Sequence, residues 1–133
     1  MQHIVFMAPL IGVSVLLLVA HLGAQSASAL LNHGIGWNAG PRDDAAQQQR
    51  TPFEGRAERA LRNYLESFAA FGILALTLSL LQRADGWALT AAWVWIAARI
   101  VYLPLYLAGV PYIRSLAWFV SALALLTMTI RVF

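Results

Sequence analysis

Three short series of residues in this chain carry side chains that are costly in an apolar setting, and each series keeps to helical spacing. Arg59, Asn63 and Glu66 follow one another at steps of four and three, so they share a helix face, with Arg62 beside them. Arg99, Tyr102 and Tyr106 repeat steps of three and four further along, and Arg114-Ser115 forms a third cationic and hydroxylic pair. Arginine stays protonated and grips carboxylates in a fork. Asparagine, serine and tyrosine add neutral hydrogen-bonding groups, and Glu66 adds one carboxylate. Brought together, they make a cationic, hydrogen-bonding pocket suited to a small polyanion and, because their surroundings are apolar, to a lipophilic co-substrate. The chain has no cysteine, so any thiol chemistry must use a thiol that the substrate brings.

The elements that position these groups are membrane-length helices. The chain is 60% hydrophobic and 11% charged, with a positive mean hydropathy, far from soluble averages. All nine basic residues are arginine. They are scattered among apolar runs rather than gathered into a soluble basic patch, which argues against nucleic acid as a partner despite the high isoelectric point. His3, His21 and His33 show no ligand spacing, and no metal site is expected.

Ile4 to Leu31 contains no Asp, Glu, Lys or Arg, and at about 1.5 Å per residue it exceeds the ~30 Å hydrocarbon core. The run is long for a leader core, and no basic residue precedes it, although Ala27-Ser28-Ala29 resembles a cleavage site. A polar stretch, 32–54, holds Gly34, Gly36, Gly40, Pro41, Asp43, Asp44, Gln47-Gln48-Gln49 and Pro52, and is expected to be an aqueous loop. Further spans are expected at about 55–82, 87–108 and 111–131. They are separated by a Gln82–Gly86 turn and a Gly109–Pro111 stop and restart, with a bend at Pro104. The fold expected is an all-α, integral membrane four-helix bundle, as one domain over 1–133 with no internal repeat.

Arg42, Arg50, Arg56, Arg59, Arg62 and Arg114 fall on the side of the 32–54 loop, against Arg83 and Arg131 on the other. The positive-inside rule then places that loop in the cytoplasm and both termini outside it. Glu66 and Arg99 lie at similar depth, so an ion pair between helices two and three is expected, serving either the site or only helix register.

The run Arg59-Ala60-Leu61-Arg62-Asn63-Tyr64-Leu65-Glu66, with Phe68 and Phe71, resembles the helix-two motif of the MAPEG family, the membrane-associated proteins in eicosanoid and glutathione metabolism. The series Arg99, Tyr102, Tyr106, Arg114-Ser115 is similar to that family's helix-three and helix-four pattern. The likeness runs from about Arg56 to the end. Arg59 with Arg62, and the Arg114-Ser115 pair, are nearest the microsomal prostaglandin E synthase branch, within the look of a small bacterial member. The resemblance implies a homotrimer in lipid that binds glutathione between subunits near the cytoplasmic side; with the arginine asymmetry, a bacterial inner membrane with both termini periplasmic is expected. Positions matching Arg59, Asn63, Glu66, Tyr102 and Tyr106 would contact glutathione, and the one matching Arg114 would stabilise its thiolate. Ser67, Leu61 and a missing basic cluster at the end of helix one depart from some relatives, with Arg42 the nearest substitute.

The activity this implies is a glutathione-dependent transferase or peroxidase acting on a lipophilic electrophile. Arg114 and Ser115 are its candidate catalytic residues, and Arg59, Arg62, Asn63, Glu66, Arg99, Tyr102 and Tyr106 its binding residues. Two other readings stand beside it: a non-catalytic scaffold or binding protein of the same fold, and a small transporter working through Glu66.

Overall fold

The computed structural model describes residues 2–44 and 49–133, with side chains from Met7 onward. The side chain of His3 and the Gln47-Gln48 part of the glutamine run lie outside that description. Four helices make the fold: α1 (Gln2–Ala39), α2 (Pro52–Leu80), α3 (Gly86–Ala108) and α4 (Ile113–Ile130). Each contains a stretch long and apolar enough to cross a membrane. Leucine, isoleucine and valine side chains such as Leu16, Leu31, Ile73 and Leu80 stand exposed around the outside of the bundle, as lipid-facing surfaces do. The chain is a multi-pass membrane helix bundle.

Helix α1 does not end near Leu31, and the polar segment is not one aqueous loop from 32 to 54. The chain leaves helical geometry at Gly34 (φ 80, ψ 171), a conformation open to glycine, and then resumes helix to Ala39. The reason lies in what Asn32 and His33 touch. Asn32 Nδ2 donates to Glu54 Oε2 at 2.6 Å and to the Gln49 carbonyl at 3.0 Å, and His33 Nε2 lies 3.0 Å from Glu54 Oε1. Thr51 caps α2 by accepting from the Glu54 amide, and Pro52 fills the first helical position. Glu54 thus ties the end of α1 to the start of α2, and His33 stacks on Trp37 beyond the break, 4.1 Å between ring centroids.

Helix α3 continues through Pro104 to Ala108, and Gly109 closes it in the left-handed conformation (φ 74). The core joins α1, α2 and α3 around Tyr64, Phe71 and Trp95. Phe71 and Trp95 stack face to face at 4.1 Å, and Ala75, Ala88 and Ala92 keep the helices close. Tyr64 stacks on His21 of α1 and donates its hydroxyl to the Ser14 carbonyl at 2.6 Å. At the far end, Arg83 donates to the Val132 carbonyl and Arg131 pairs with Asp85, which clasps the α2–α3 turn to the C-terminus.

Candidate functional site

Helix α2 presents three different faces near its start. Tyr64 and Phe71 point into the core. Asn63 and Ser67, four residues apart, face α3 and meet the guanidinium of Arg99. Arg99 Nη1 donates to Asn63 Oδ1 at 2.8 Å, and Nη2 to Ser67 Oγ at 2.6 Å. Arg99 is 1% exposed, and the rings of Tyr64, Trp95 and Tyr102 surround its Cζ at 5.2–6.0 Å, within the reach of cation–π attraction. The third face carries Arg59, Arg62 and Glu66, all exposed.

The expected Glu66–Arg99 ion pair is absent. Among the described residues Glu66 makes no hydrogen bond or salt bridge, and its charge reaches Arg99 only through space. Depth was matched, but direction was not. One residue along a helix is a turn of about 100°, so when Ser67 faces α3, Glu66 cannot.

Next to this pair is a cleft of about 230 Å³ lined by Asn63, Tyr102, Tyr106, Arg114, Ser115 and Trp118. It brings together residues of α2, α3 and α4 that are up to 55 positions apart in the chain. The guanidinium of Arg114 lies 4.5 Å over the ring of Tyr106, and its Nε is buried with no hydrogen-bond partner among the described residues. Tyr102 is nearly buried and its ring leans on Tyr106, 5.4 Å between centroids. Because Asn63 spends its oxygen on Arg99, the group it has left for the cleft is its NH₂. The cleft therefore offers amide, guanidinium and hydroxyl donors and no carboxylate, which suits an anionic or acceptor-rich ligand.

Arg59 and Arg62 line a different hollow of about 360 Å³ at the start of α2, with Arg50, Thr51, Gly55 and Glu58. Arg50 and Glu58 form an ion pair across it. Of the nine residues expected at the site, five (Asn63, Tyr102, Tyr106, Arg114 and Ser115) meet in one cleft. Arg99 stands behind it, gripping Asn63, and Arg59, Arg62 and Glu66 stand outside it on the exposed face of α2. Sequence reasoning overlooked Trp118, which the four-residue step from Arg114 points to, and took Ser67 only as a departure from relatives, although the same step from Asn63 points to it.

The sequence profile of the MAPEG family matches residues 4–133, nearly the whole chain. The chain belongs to the MAPEG family. That family consists of membrane helix bundles, generally trimeric, and has glutathione-using transferases and peroxidases among its members. No curated protein and no solved structure shows significant similarity to this member.

Proposed function

We propose that this MAPEG member is a glutathione-dependent transferase or peroxidase acting on a lipophilic electrophile. The observation that carries the reading is the cleft of guanidinium, amide and hydroxyl groups without a carboxylate, with the unpartnered Arg114 Nε at its wall. Glutathione fits that donor set: it brings two carboxylates, an ammonium and, once ionised, a thiolate nucleophile. A free thiol has a pKa of about 8.5, and lowering it by two units requires about 2.7 kcal/mol of preference for the anion. A charge-assisted hydrogen bond in a water-poor site is of that size, roughly 1.5–3 kcal/mol. On this reading Arg114 would hold the anionic sulfur, and Ser115, next in sequence and in the same cleft, would donate a second hydrogen bond.

The cleft is smaller than the roughly 300–1,000 Å³ of sites that enclose a whole drug-sized ligand. The rest of the tripeptide then extends past Asn63 toward the exposed Arg59, Arg62 and Glu66, where two arginines suit carboxylates and Glu66 suits the ammonium. In a membrane those three side chains need water or protein over them. A neighbouring copy in a homotrimer would provide that cover and close the site, at the cytoplasmic end of the bundle by the arginine asymmetry.

The unpaired Glu66 is what a proton-driven transporter would use. Its face of α2 continues, however, as Ala70, Ile73, Thr77 and Leu80, with one hydroxyl and no second titratable group along it, and the transferase or peroxidase reading is favoured. A thermal-shift titration of purified protein with glutathione and with its desthiol analogue tests the reading. Both ligands should stabilise the wild type, and only glutathione should add thiolate absorbance near neutral pH. Arg114→Ala should keep binding within a few-fold while losing that absorbance, and Asn63→Ala should weaken both ligands alike. Wild-type protein in lipid that neither binds glutathione at millimolar concentration nor perturbs its thiol titration would leave the scaffold reading in its place.

A further inference from the structure

Arg114 makes no hydrogen bond among the described residues, so its place in the cleft depends on the backbone that carries it. The first half of α4, which carries that backbone, packs only shallowly against α3. The fully buried residues of α4 are Ser121, Ala124 and Met128, from its midpoint onward, and nothing from Ile113 to Val120 is fully buried. The turn before it, 109–112, is irregular. Gly109 lies at φ 74, and Tyr112 at φ 58, ψ −60, a region that non-glycine residues seldom occupy, with its side chain 85% exposed.

A side chain from outside α3 and α4 reaches this turn. Arg56, in the second turn of α2, donates from Nη1 to the Leu107 carbonyl at 3.2 Å. Leu107 is among the last residues of α3, where carbonyls lack helical partners and the helix end favours a cation. The guanidinium also lies flat against the glycine: a Cβ built on Gly109 would sit 2.7 Å from Arg56 Cζ and 2.9 Å from Nη1. Gly109 suits the left-handed backbone, and any side chain there would displace the Arg56 guanidinium.

We infer that Arg56 is a positioning residue for Arg114. It bolts the α3–α4 turn to α2 and thereby sets the angle at which the loosely packed start of α4 delivers Arg114 and Ser115 to the cleft. Arg56 itself is not among the residues that line the cleft. Its part in thiolate formation rests on the glutathione reading above, whereas its hold on the turn does not.

The experiment compares wild type, Arg56→Ala, Arg56→Lys and Gly109→Asn in lipid nanodiscs, with two readouts. The first is hydrogen exchange of the Leu116–Trp118 amides, the first ones held by α4's own helical bonds, beginning with Leu116 N–H to the Tyr112 carbonyl at 2.8 Å. The second is the thiol titration of added glutathione, followed beside its half-saturation concentration. Arg56→Ala should exchange about tenfold faster at those amides. It should move the thiol midpoint toward that of free glutathione by about one pH unit, a tenfold change in the ionisation constant, and change half-saturation less than threefold. Arg56→Lys keeps a cationic donor for Leu107 and should stay near wild type in both. Gly109→Asn, which suits the left-handed backbone but displaces Arg56, should behave like Arg56→Ala and serves in its place if that variant does not accumulate.

Unchanged exchange in the variants overturns the inference, as does faster exchange with an unmoved thiol midpoint, which would make Arg56 a purely structural clamp. If wild type itself leaves the thiol titration unchanged, the glutathione reading has failed. Exchange then decides alone: faster exchange in Arg56→Ala sustains the positioning of Arg114, and unchanged exchange overturns it.

Discussion

The cation buried behind the cleft gives the sharpest test of the structure. Arg99 is 1% exposed and meets no carboxylate; its hydrogen-bond partners are two neutral oxygens, Asn63 Oδ1 and Ser67 Oγ. Taking a charge out of water costs several kcal/mol even after relaxation, and the return here comes from those bonds and from three aromatic faces. Ser67→Ala removes the shorter bond, 2.6 Å, and leaves Nη2 without a partner where water has little access. A hydrogen bond to a charged group contributes about 1.5–3 kcal/mol. Alanine recovers up to about 0.5 kcal/mol through helix propensity, so a net loss of roughly 1–2.5 kcal/mol is expected.

Arg99→Met acts in the opposite sense on the solvation term, because it deletes the charge that needed partners. It should therefore be milder in the Ser67→Ala background than in wild type. A double-mutant cycle in mixed micelles, read by denaturant or steric-trap unfolding, should return a Ser67–Arg99 coupling of about 1.5 kcal/mol or more. A second cycle with Glu66→Gln should return less than about 0.5 kcal/mol, the additivity expected of groups that do not touch. A Glu66–Arg99 coupling as large as the Ser67–Arg99 one would mean that the carboxylate, not the serine, partners the arginine, and the geometry described here would be refuted.

Other outcomes follow from the same contacts. Tyr64→Phe deletes the hydroxyl that donates to the Ser14 carbonyl and should lower unfolding free energy by about 0.5–1.5 kcal/mol, whereas Phe71→Ala, which empties the stack on Trp95, should cost about 3–5 kcal/mol; both are read by thermal unfolding. Glu54→Ala strips the carboxylate shared by Asn32 and His33 and should cost about 1–3 kcal/mol, with faster proteolysis between residues 40 and 51, while Glu54→Gln, which keeps an acceptor, should be milder. If glutathione reaches the outer face of α2, Arg59→Ala and Glu66→Gln should each raise its half-saturation concentration about tenfold, a loss near 1.4 kcal/mol, measured by isothermal titration in nanodiscs.

What could be read from the sequence divides along physical lines. Four spans were legible because a membrane-length apolar run is a one-dimensional signal. Clustering of Asn63, Tyr102, Tyr106, Arg114 and Ser115 was legible because helical spacing fixes a face and the arginine asymmetry fixes an end. The true end of α1 was not, because Gly34 and Gly36 look like a stop, and the contacts that carry the helix past them come from Glu54, 22 positions beyond Asn32. The Glu66–Arg99 pair misled for a related reason. Depth can be counted along each helix, but which way a residue faces across two helices depends on their relative rotation, and counting cannot supply that.

That rotation also explains why one helix can serve both the fold and a site. Within five residues α2 turns Tyr64 into the core, Asn63 and Ser67 onto the α3 cation, and Glu66 outward with Arg59 and Arg62 near it. The first two faces are satisfied inside the chain. The third is not, and an exposed carboxylate well along a membrane-spanning helix is costly against lipid. A second copy laid against that face would shield it and would bring the arginines and Glu66 alongside a cleft that already holds Arg114. If glutathione is the ligand as proposed, the same three exposed side chains are the ones that its carboxylates and ammonium would need, and a site at a seam between copies would satisfy both the face and the ligand.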